Sequence, residues 1–361
     1  MRSYLDHNAT SPLHSAARQA MLAAMDEGGN ASSVHAEGRA ARRHLDDARD
    51  IIAEAVGTLP GMVVFTSGGS EANNLALKGA RVERLLVSAI EHPSVLEAAK
   101  ASGKAVEIIP VTSAGIVDLA ALEAALPGSP ALVSVMLANN ETGVIQPVRE
   151  VVALAARHGA LVHCDAVQAL GKVPVNFGLL GVDLLSISAH KLGGPLGCGA
   201  LVLRDGLPLS PLIQGGAQEL RRRAGTENVP TIAGFAAAIQ EKPQNIRALR
   251  DDLESLLEGA VLIGKDVDRL PNTTCLARPG MLAETLVMAF DLEGIAVSSG
   301  SACSSGKVSK SHVLAAMGVA PEIAAGAIRV SLGWNTTSED IERFGAVWRR
   351  ILARQQSKAA A

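Results

Sequence analysis

Short apolar runs alternate with helix-patterned segments along the first two thirds of the chain. That alternation restricts the fold more than any other feature. MVVFT (62–66), RLLVS (84–88), AVEIIPV (105–111), ALVSVML (131–137), ALVHC (160–164), VDLLSIS (182–188) and GALVL (199–203) each have the length of a strand. Before and between them, 36–57, 93–102, 118–126 and 147–158 carry apolar residues at helical spacing. Near-continuous apolar strands separated by helices predict βαβ units, and so an α/β fold with a mostly parallel sheet covered on both faces. From about residue 230 the texture changes. A long helical stretch (230–258) leads into shorter strands and helices (260–356), which predicts a smaller C-terminal domain beginning near residue 245.

Composition narrows the function. Lys plus Arg is 33 and Asp plus Glu is 36, a formal charge of −3, so nothing favours nucleic acid or an anionic membrane as partner. Aromatic residues make up 2% of the 361, which leaves no stacking platform for single strands and predicts an aliphatic core. The apolar runs fall far short of the roughly 20 residues of a membrane helix. The N-terminal MRSYLDHNATSPLHS has no apolar signal region, and the expected location is the cytoplasm. Four cysteines, Cys164, Cys198, Cys275 and Cys303, form no C-x-x-C pair. Neither a stable metal site nor a disulfide framework is expected, so each cysteine is a buried small hydrophobe or a reactive thiol.

In α/β sheets ligands bind beyond the carboxyl ends of the strands, and polar clusters recur there. Ser67-Gly68-Gly69-Ser70-Glu71-Ala72-Asn73 follows MVVFT and opens a helix, as a phosphate cradle does and as an ordinary capped turn also does. His92, in Glu91-His92-Pro93-Ser94, is able to stack on a planar cofactor or move a proton, or is merely a satisfied polar residue. Asn139-Asn140-Glu141-Thr142-Gly143 follows ALVSVML and is equally a common turn. Asp165 ends the buried strand ALVHC and needs a partner, for which a cationic ring nitrogen is suitable; Gln168 lies three residues on. Lys191, in SISAHK before a glycine-rich turn, can form a Schiff base if its pKa is lowered, or is a solvated loop lysine. SSGSACSSG (298–306) presents Cys303 in a small, polar segment predicted to be a mobile loop, which favours a reactive thiol. Arg329, in the apolar run AIRVSLG, suits a carboxylate clamp or a solvent-facing edge. Together these groups ask for a phosphate, a pyridinium, a carbonyl and a carboxylate, which pyridoxal phosphate and an amino acid supply.

The motifs YLDHNATSP (4–12), FTSGGSEANNLALKG (65–79), EHPSV (91–95), NNETGVIQP (139–147), HCDAVQALGK (163–172), SISAHKLGGPLG (186–197), RRRAGTENVP (221–230), SSGSACSSG (298–306) and IRVSLG (328–333) span the whole chain. The sequence strongly resembles the cysteine desulfurases, in the class V aminotransferase group of fold-type I pyridoxal phosphate enzymes. The resemblance implies a large domain over 13–245, and a small α+β domain formed by 1–12 and 246–361 that carries the cysteine loop. It implies that Lys191 holds the cofactor, Asp165 meets its ring nitrogen, and Gln168 and Asn140 meet its ring oxygen. His92 would stack on the ring and move protons. Gly69, Ser70, Ser188 and His190 would hold the phosphate, with Thr226 reaching across a homodimer to the partner's phosphate. Arg329, with Asn8 or Asn140, would hold the substrate carboxylate. Cys303 would take sulfur from L-cysteine as a persulfide, leaving alanine, for an acceptor such as an iron–sulfur scaffold; any iron–sulfur contact through Cys303 would be transient. Selenocysteine lyase and an amino-transferring class V enzyme are the alternatives. Two departures stand out: Gly69-Ser70 replaces the family's usual Ala-Thr, and Leu220-Arg221 and Ala224 replace residues of its Glu-Arg-Gly-Arg-Arg-Ser-Gly-Thr run.

Overall fold

The computed structural model describes residues 2–241, 246–300 and 310–360, with 356–360 described by backbone alone. Seven of its strands are β1 (Val63–Thr66), β2 (Arg84–Ser88), β3 (Ala105–Ile109), β4 (Ala131–Ser134), β5 (Leu161–Asp165), β6 (Leu184–Ser188) and β7 (Gly199–Leu203). They form one sheet in the order β1-β7-β6-β5-β4-β2-β3. All neighbours are parallel except β7, which runs against both β1 and β6. The mostly parallel sheet expected from the apolar runs is therefore present, with one reversed strand near its edge.

Burial on both faces explains the unbroken apolar runs. Along β4, Ala131 and Val133 join a core containing Leu45, Ile52 and Phe235, whereas Leu132 joins the opposite core with Leu75, Leu77 and Val95. Helix α2 (Ala36–Ala55) thus covers the first face and α3 (Gly69–Gly79) the second, while α1 (Ser15–Glu27) packs against α2. β3 stops at Ile109, short of the expected 105–111, because Pro110 has no N–H to give a ladder. β4 stops at Ser134, although Val135 and Leu137 still donate to the carbonyls of His163 and Asp165. The stretch 230–258 is two helices, Val229–Ile239 and Ile246–Ser255, rather than one.

A second sheet is built from β8 (Val261–Ile263), β9 (Thr273–Ala277), β10 (Ser298–Ser299) and β11 (Ala327–Ser331), in the order β10-β11-β9-β8. Ser3–Tyr4 pairs in parallel with Ile295–Ala296, and Asp6 bridges to Ser331, so the first residues lie beside the last strand. Here the expectation of a purely aliphatic core fails. Phe290 stacks on Phe344 at 4.5 Å and on Trp348 at 6.5 Å, concentrating scarce aromatics where helices pack on a small sheet. Among the described residues no helix is long and apolar enough to cross a membrane.

The run after β7 contains three successive left-handed residues, Glu219 (φ 47), Leu220 (φ 55) and Arg221 (φ 65). Each costs about 1–2 kcal/mol without glycine. Arg221 stands where the family places Gly. The conformation is held by the buried Glu219 carboxylate, which accepts two bonds from Arg49 (2.6 and 2.9 Å) and one from the Phe65 N–H (2.9 Å). Glu219→Ala would leave Arg49 unpaired and the Phe65 amide without a partner. A loss of about 3–5 kcal/mol is expected, read as a lower urea midpoint. A loss below about 1 kcal/mol would mean that water replaces the carboxylate without penalty.

Candidate active site

Beyond the carboxyl ends of the central strands lies a cavity of about 220 Å³. Gly69 and Ser70, from the start of α3, form one end with Ser188 and His190, which follow the course of β6. Asp165, Gln168, Lys191, His92 and Asn140 complete the set of expected residues that line it. Residues spread between positions 69 and 191 thus meet in one place.

The Gly69 end is built for an anion. Gly68 precedes α3 with φ 143, a conformation that favours glycine. A Cβ on Gly69 would come within 2.6 Å of Val167 Cγ2, so glycine lets the start of α3 line the cavity without displacing that side chain. Glu71 accepts the Ser67 N–H (2.7 Å) and pairs with Arg223 (2.9 Å), fixing the turn from outside. The Ser188 hydroxyl is buried and has no partner among the described residues. Burial, with the cations Lys191 and Lys172, pushes His190 down to about 4, so it offers a neutral ring.

Asp165 is oriented by two hydrogen bonds. Its Oδ1 accepts the Val167 N–H at 2.9 Å, and its Oδ2 accepts Asn73 Nδ2 at 2.8 Å. Asn73 also donates to Ser94 Oγ (2.9 Å), and its own oxygen is buried without a partner among the described residues. Asn73 and Ser94 belong to motifs legible in the sequence, but their supporting role is not legible there. The available signal was spacing: Asn73 lies one helical turn beyond Ser70, on the same face. His92 Nδ1 receives the Ser94 N–H (3.1 Å), which places the neutral ring's proton on Nε2. Burial lowers the pKa of His92, Lys191 and His312 push the same way, and Asp165 opposes them.

Lys191 Nζ donates to the carbonyls of Asn8 (2.6 Å) and Ala9 (2.8 Å), so the N-terminal segment crosses the site. Three expected residues lie outside the cavity lining. Asn8 has its side chain engaged by Thr273 Oγ1 (2.9 Å), Asn140 O (3.3 Å), Lys172 and Asn272. Arg329, in β11, donates to Asn140 O (2.9 Å) and to Asp6 Oδ1 (2.8 Å), and its buried Nε has no partner among the described residues. Thr226 is exposed in a separate crevice with Ser67, Gly197 and Arg223. Cys303 falls outside the described residues. Cys164, Cys198 and Cys275 are free and buried, and burial pushes the last two thiols up to about 12. Among the described residues no group of three His, Cys, Asp or Glu is placed to hold a metal.

Glu141 is a further site residue that sequence reasoning missed. Its carboxylate accepts from Ser311 Oγ and lies where a Cβ on Gly300 would meet it at 2.7 Å. Burial raises its pKa to about 7, against the hydrogen bond from Ser311 and the charge of Arg329. The folded value exceeds the ordinary 4.5, so the protonated form favours folding. That stabilisation is complete below pH 4.5 and is lost as pH rises through 7. Glu141→Gln mimics the protonated form. Its stability relative to wild type should grow by about 3 kcal/mol from pH 4.5 to above 7, measured by urea unfolding. A difference that stays flat with pH would show that folding leaves Glu141 at its ordinary pKa.

Comparison with known proteins gives a consistent picture. The aminotransferase class-V family model matches residues 3–344. A cysteine desulfurase from Cereibacter sphaeroides is 45% identical over 362 aligned residues, covering 95% of this chain and 94% of that relative. The cysteine desulfurase IscS of Dictyoglomus turgidum is 41% identical, covering 97% and 94%. Among solved structures, a NifS-like protein superposes with a TM-score of 0.91 at 38% identity, covering 98% of this chain and all of that one. SspA in complex with cysteine superposes with a TM-score of 0.84 at 31% identity, covering 93% of this chain and all of that one.

Proposed function

The chain belongs to the class-V aminotransferases and is a pyridoxal-phosphate-dependent cysteine desulfurase, and from that premise we propose how its own residues divide the work. The cavity fits the cofactor: an anion cradle at one end, an oriented carboxylate at Asp165, a lysine at Lys191, and unpartnered Ser188 and Asn73 oxygens. Bound there, pyridoxal phosphate supplies an aldehyde carbon that accepts amines and a ring that withdraws electrons from them.

The α3 amides at Gly69 and Ser70, with Ser188 and His190, hold the phosphate. Asp165 accepts the ring N–H, its two oxygens already aimed by Val167 and Asn73. His92 covers the ring and carries a proton at Nε2. Gln168 and Asn140 meet the ring oxygen. Lys191 Nζ would hold the cofactor covalently and, when released from it, would take the substrate's α-proton; the Asn8 and Ala9 carbonyls keep it in reach. Arg329 binds the substrate carboxylate by exchanging its bond to Asp6, and Asn8 acts by holding Asn140 and Lys191 in place. The Cys303 thiolate would attack the substrate sulfur, forming an S–S bond as the C–S bond breaks; the C–S electron pair would stay with the substrate β-carbon, which takes up a proton to leave alanine, and Cys303 would hold the persulfide for an acceptor protein.

The second copy completes the site. Thr226 is exposed away from its own cavity, and Leu13, Leu22, Met25 and Leu196 expose apolar surface around α1 and the turn after Lys191. A homodimer would cover them and bring Thr226 to the partner's phosphate. A reducing cytoplasm would keep Cys303 a free thiol. The observation that carries the reading is the convergence of Lys191, Asp165 and His92 on one cavity. Its test is single-turnover L-cysteine desulfuration: one alanine per active site, with one sulfur added to Cys303 by mass spectrometry. Alanine without sulfur on Cys303 would overturn the assignment.

A further inference from the structure

Lys172 takes no part in the steps assigned to Lys191, His92 and Cys303, yet its ammonium is anchored within the same network. It is partly buried, and its Nζ donates to Gln168 Oε1 and Asn8 Oδ1, each at 2.8 Å. Among the described residues no carboxylate stands at ion-pair distance from it. We propose that Lys172 is a positioning residue of the cofactor site: it clamps the side-chain oxygens of Gln168 and Asn8 and so fixes Gln168 as a hydrogen-bond donor toward the cofactor's ring oxygen. The proposal rests on Gln168 meeting that oxygen, as assigned under the proposed function.

Hydrogen-bond sign decides the orientation. An ammonium has three donors and no acceptor, so whatever faces it closely must be an acceptor. A glutamine amide looks nearly the same either way round, and its partners decide which end points where. Lys172 takes the oxygen of Gln168. Gln168 Nε2 then gives one hydrogen to the Asn8 carbonyl (2.9 Å) and keeps the other for the cavity, which Gln168 lines. Without Lys172 only the Asn8 carbonyl still selects this orientation, and the amide loses the contact that holds its oxygen end. The same clamp holds Asn8, shared with Asn272 Nδ2 at 3.1 Å, which leaves Asn8 Nδ2 to hold Asn140 O and Thr273. Bonds among Lys172, Gln168 and Asn8 close a ring, and the Asn8 carbonyl of that ring also receives Lys191 Nζ.

A lysine is an unfavourable choice here for stability alone. Burial, then the charges of Lys191 and Arg329, push its ammonium well below the ordinary lysine range. The groups facing it are Lys191, Arg329, His7 and His190, and its charge in turn helps to push the two histidines down to about 4. Asp6, bonded to Arg329, is the neighbouring carboxylate of the network. A buried cation kept among cations points to a task in the site.

The test uses the holoenzyme without substrate and reads the pH midpoint of its visible cofactor band. Lys172→Met keeps the shape and removes the donors. Losing the Gln168 donor and a nearby positive charge both make the nitrogen that joins Lys191 to the cofactor hold its proton more tightly. The midpoint should rise by about one pH unit, a tenfold change in proton affinity, and Lys172→Arg should restore it to within about threefold. If Lys172→Met does not fold, Lys172→Gln replaces it. A glutamine carries its own oxygen and no longer excludes the turned amide, so the midpoint should still rise at least about threefold. An unmoved midpoint in a folded variant overturns the proposal. Gln168→Leu separates the two readings: if it shifts the band and the Lys172 variants do not, only the clamp fails. If Gln168→Leu leaves the band unmoved, the contact of Gln168 with the ring oxygen fails instead.

Discussion

Lys191→Ala will lose cysteine desulfuration by a factor on the order of a thousand to a million. The proposed role gives the lysine two duties, holding the cofactor and moving the α-proton, and no other described amine lines the cavity. Lys172 does not stand in for it, because its Nζ is committed to Gln168 and Asn8. The phosphate cradle at Gly69, Ser70 and Ser188 does not involve Lys191, so the variant should still bind the cofactor, now without a covalent link. Borohydride should attach cofactor to wild type and not to Lys191→Ala. Wild-type turnover, or attachment in the variant, would refute the role. Some stability should also change, since the Asn8 and Ala9 carbonyls lose their donor.

Cys303→Ala will have a comparable effect on turnover, on the order of a thousandfold or more, but with the opposite spectroscopic result. Its visible band and its covalent link through Lys191 should be those of wild type. The other thiols offer no substitute. Cys164, Cys198 and Cys275 are buried, and with Cys198 and Cys275 pushed up to about 12 almost no thiolate is present near neutral pH. The expected signature is bound L-cysteine that is neither desulfurated nor turned into persulfide. Sulfide release at the wild-type rate would show that the sulfur leaves by another route.

Burial sets how far the fold is legible in the chain. β4, β5 and β6 are enclosed on both faces, so each is mostly apolar, and the buried Ser134, His163 and Ser186 bond to one another across them. Their exit points are where polar residues must be tolerated for a reason. Ser188 is marked by the family resemblance alone, whereas Asp165 and Lys191 stand out there only as members of a set, because singly each also suits an ordinary polar strand end. His92 and Asn140 are recognisable for the same reason. Strand ends were less well placed. Pro110 cuts β3, and β4 stops although its backbone continues to bond, since ladder geometry depends on the neighbouring strand.

The supporting residues were hidden because their partners are distant in sequence. Asp6 and Arg329 are 323 positions apart, and Arg49 and Glu219 are 170 apart. Glu141 reads as a turn residue until Ser311 and Gly300 are seen beside it. Lys172 looks like a solvated lysine four residues after Gln168, and only the crossing of the N-terminal segment supplies the Asn8 oxygen that makes it a clamp.

The chain by itself determined the mostly parallel sheet and marked Gly69, Asp165, Lys191 and Cys303 as candidate site residues, because local periodicity and chemical type are properties of consecutive residues. Tertiary structure alone decided which way the amides of Gln168 and Asn8 point, what Arg329 holds, and how strongly Glu141 retains its proton. Those depend on the dielectric and on the partners that folding brings within about 3 Å, and no stretch of neighbouring residues contains that information.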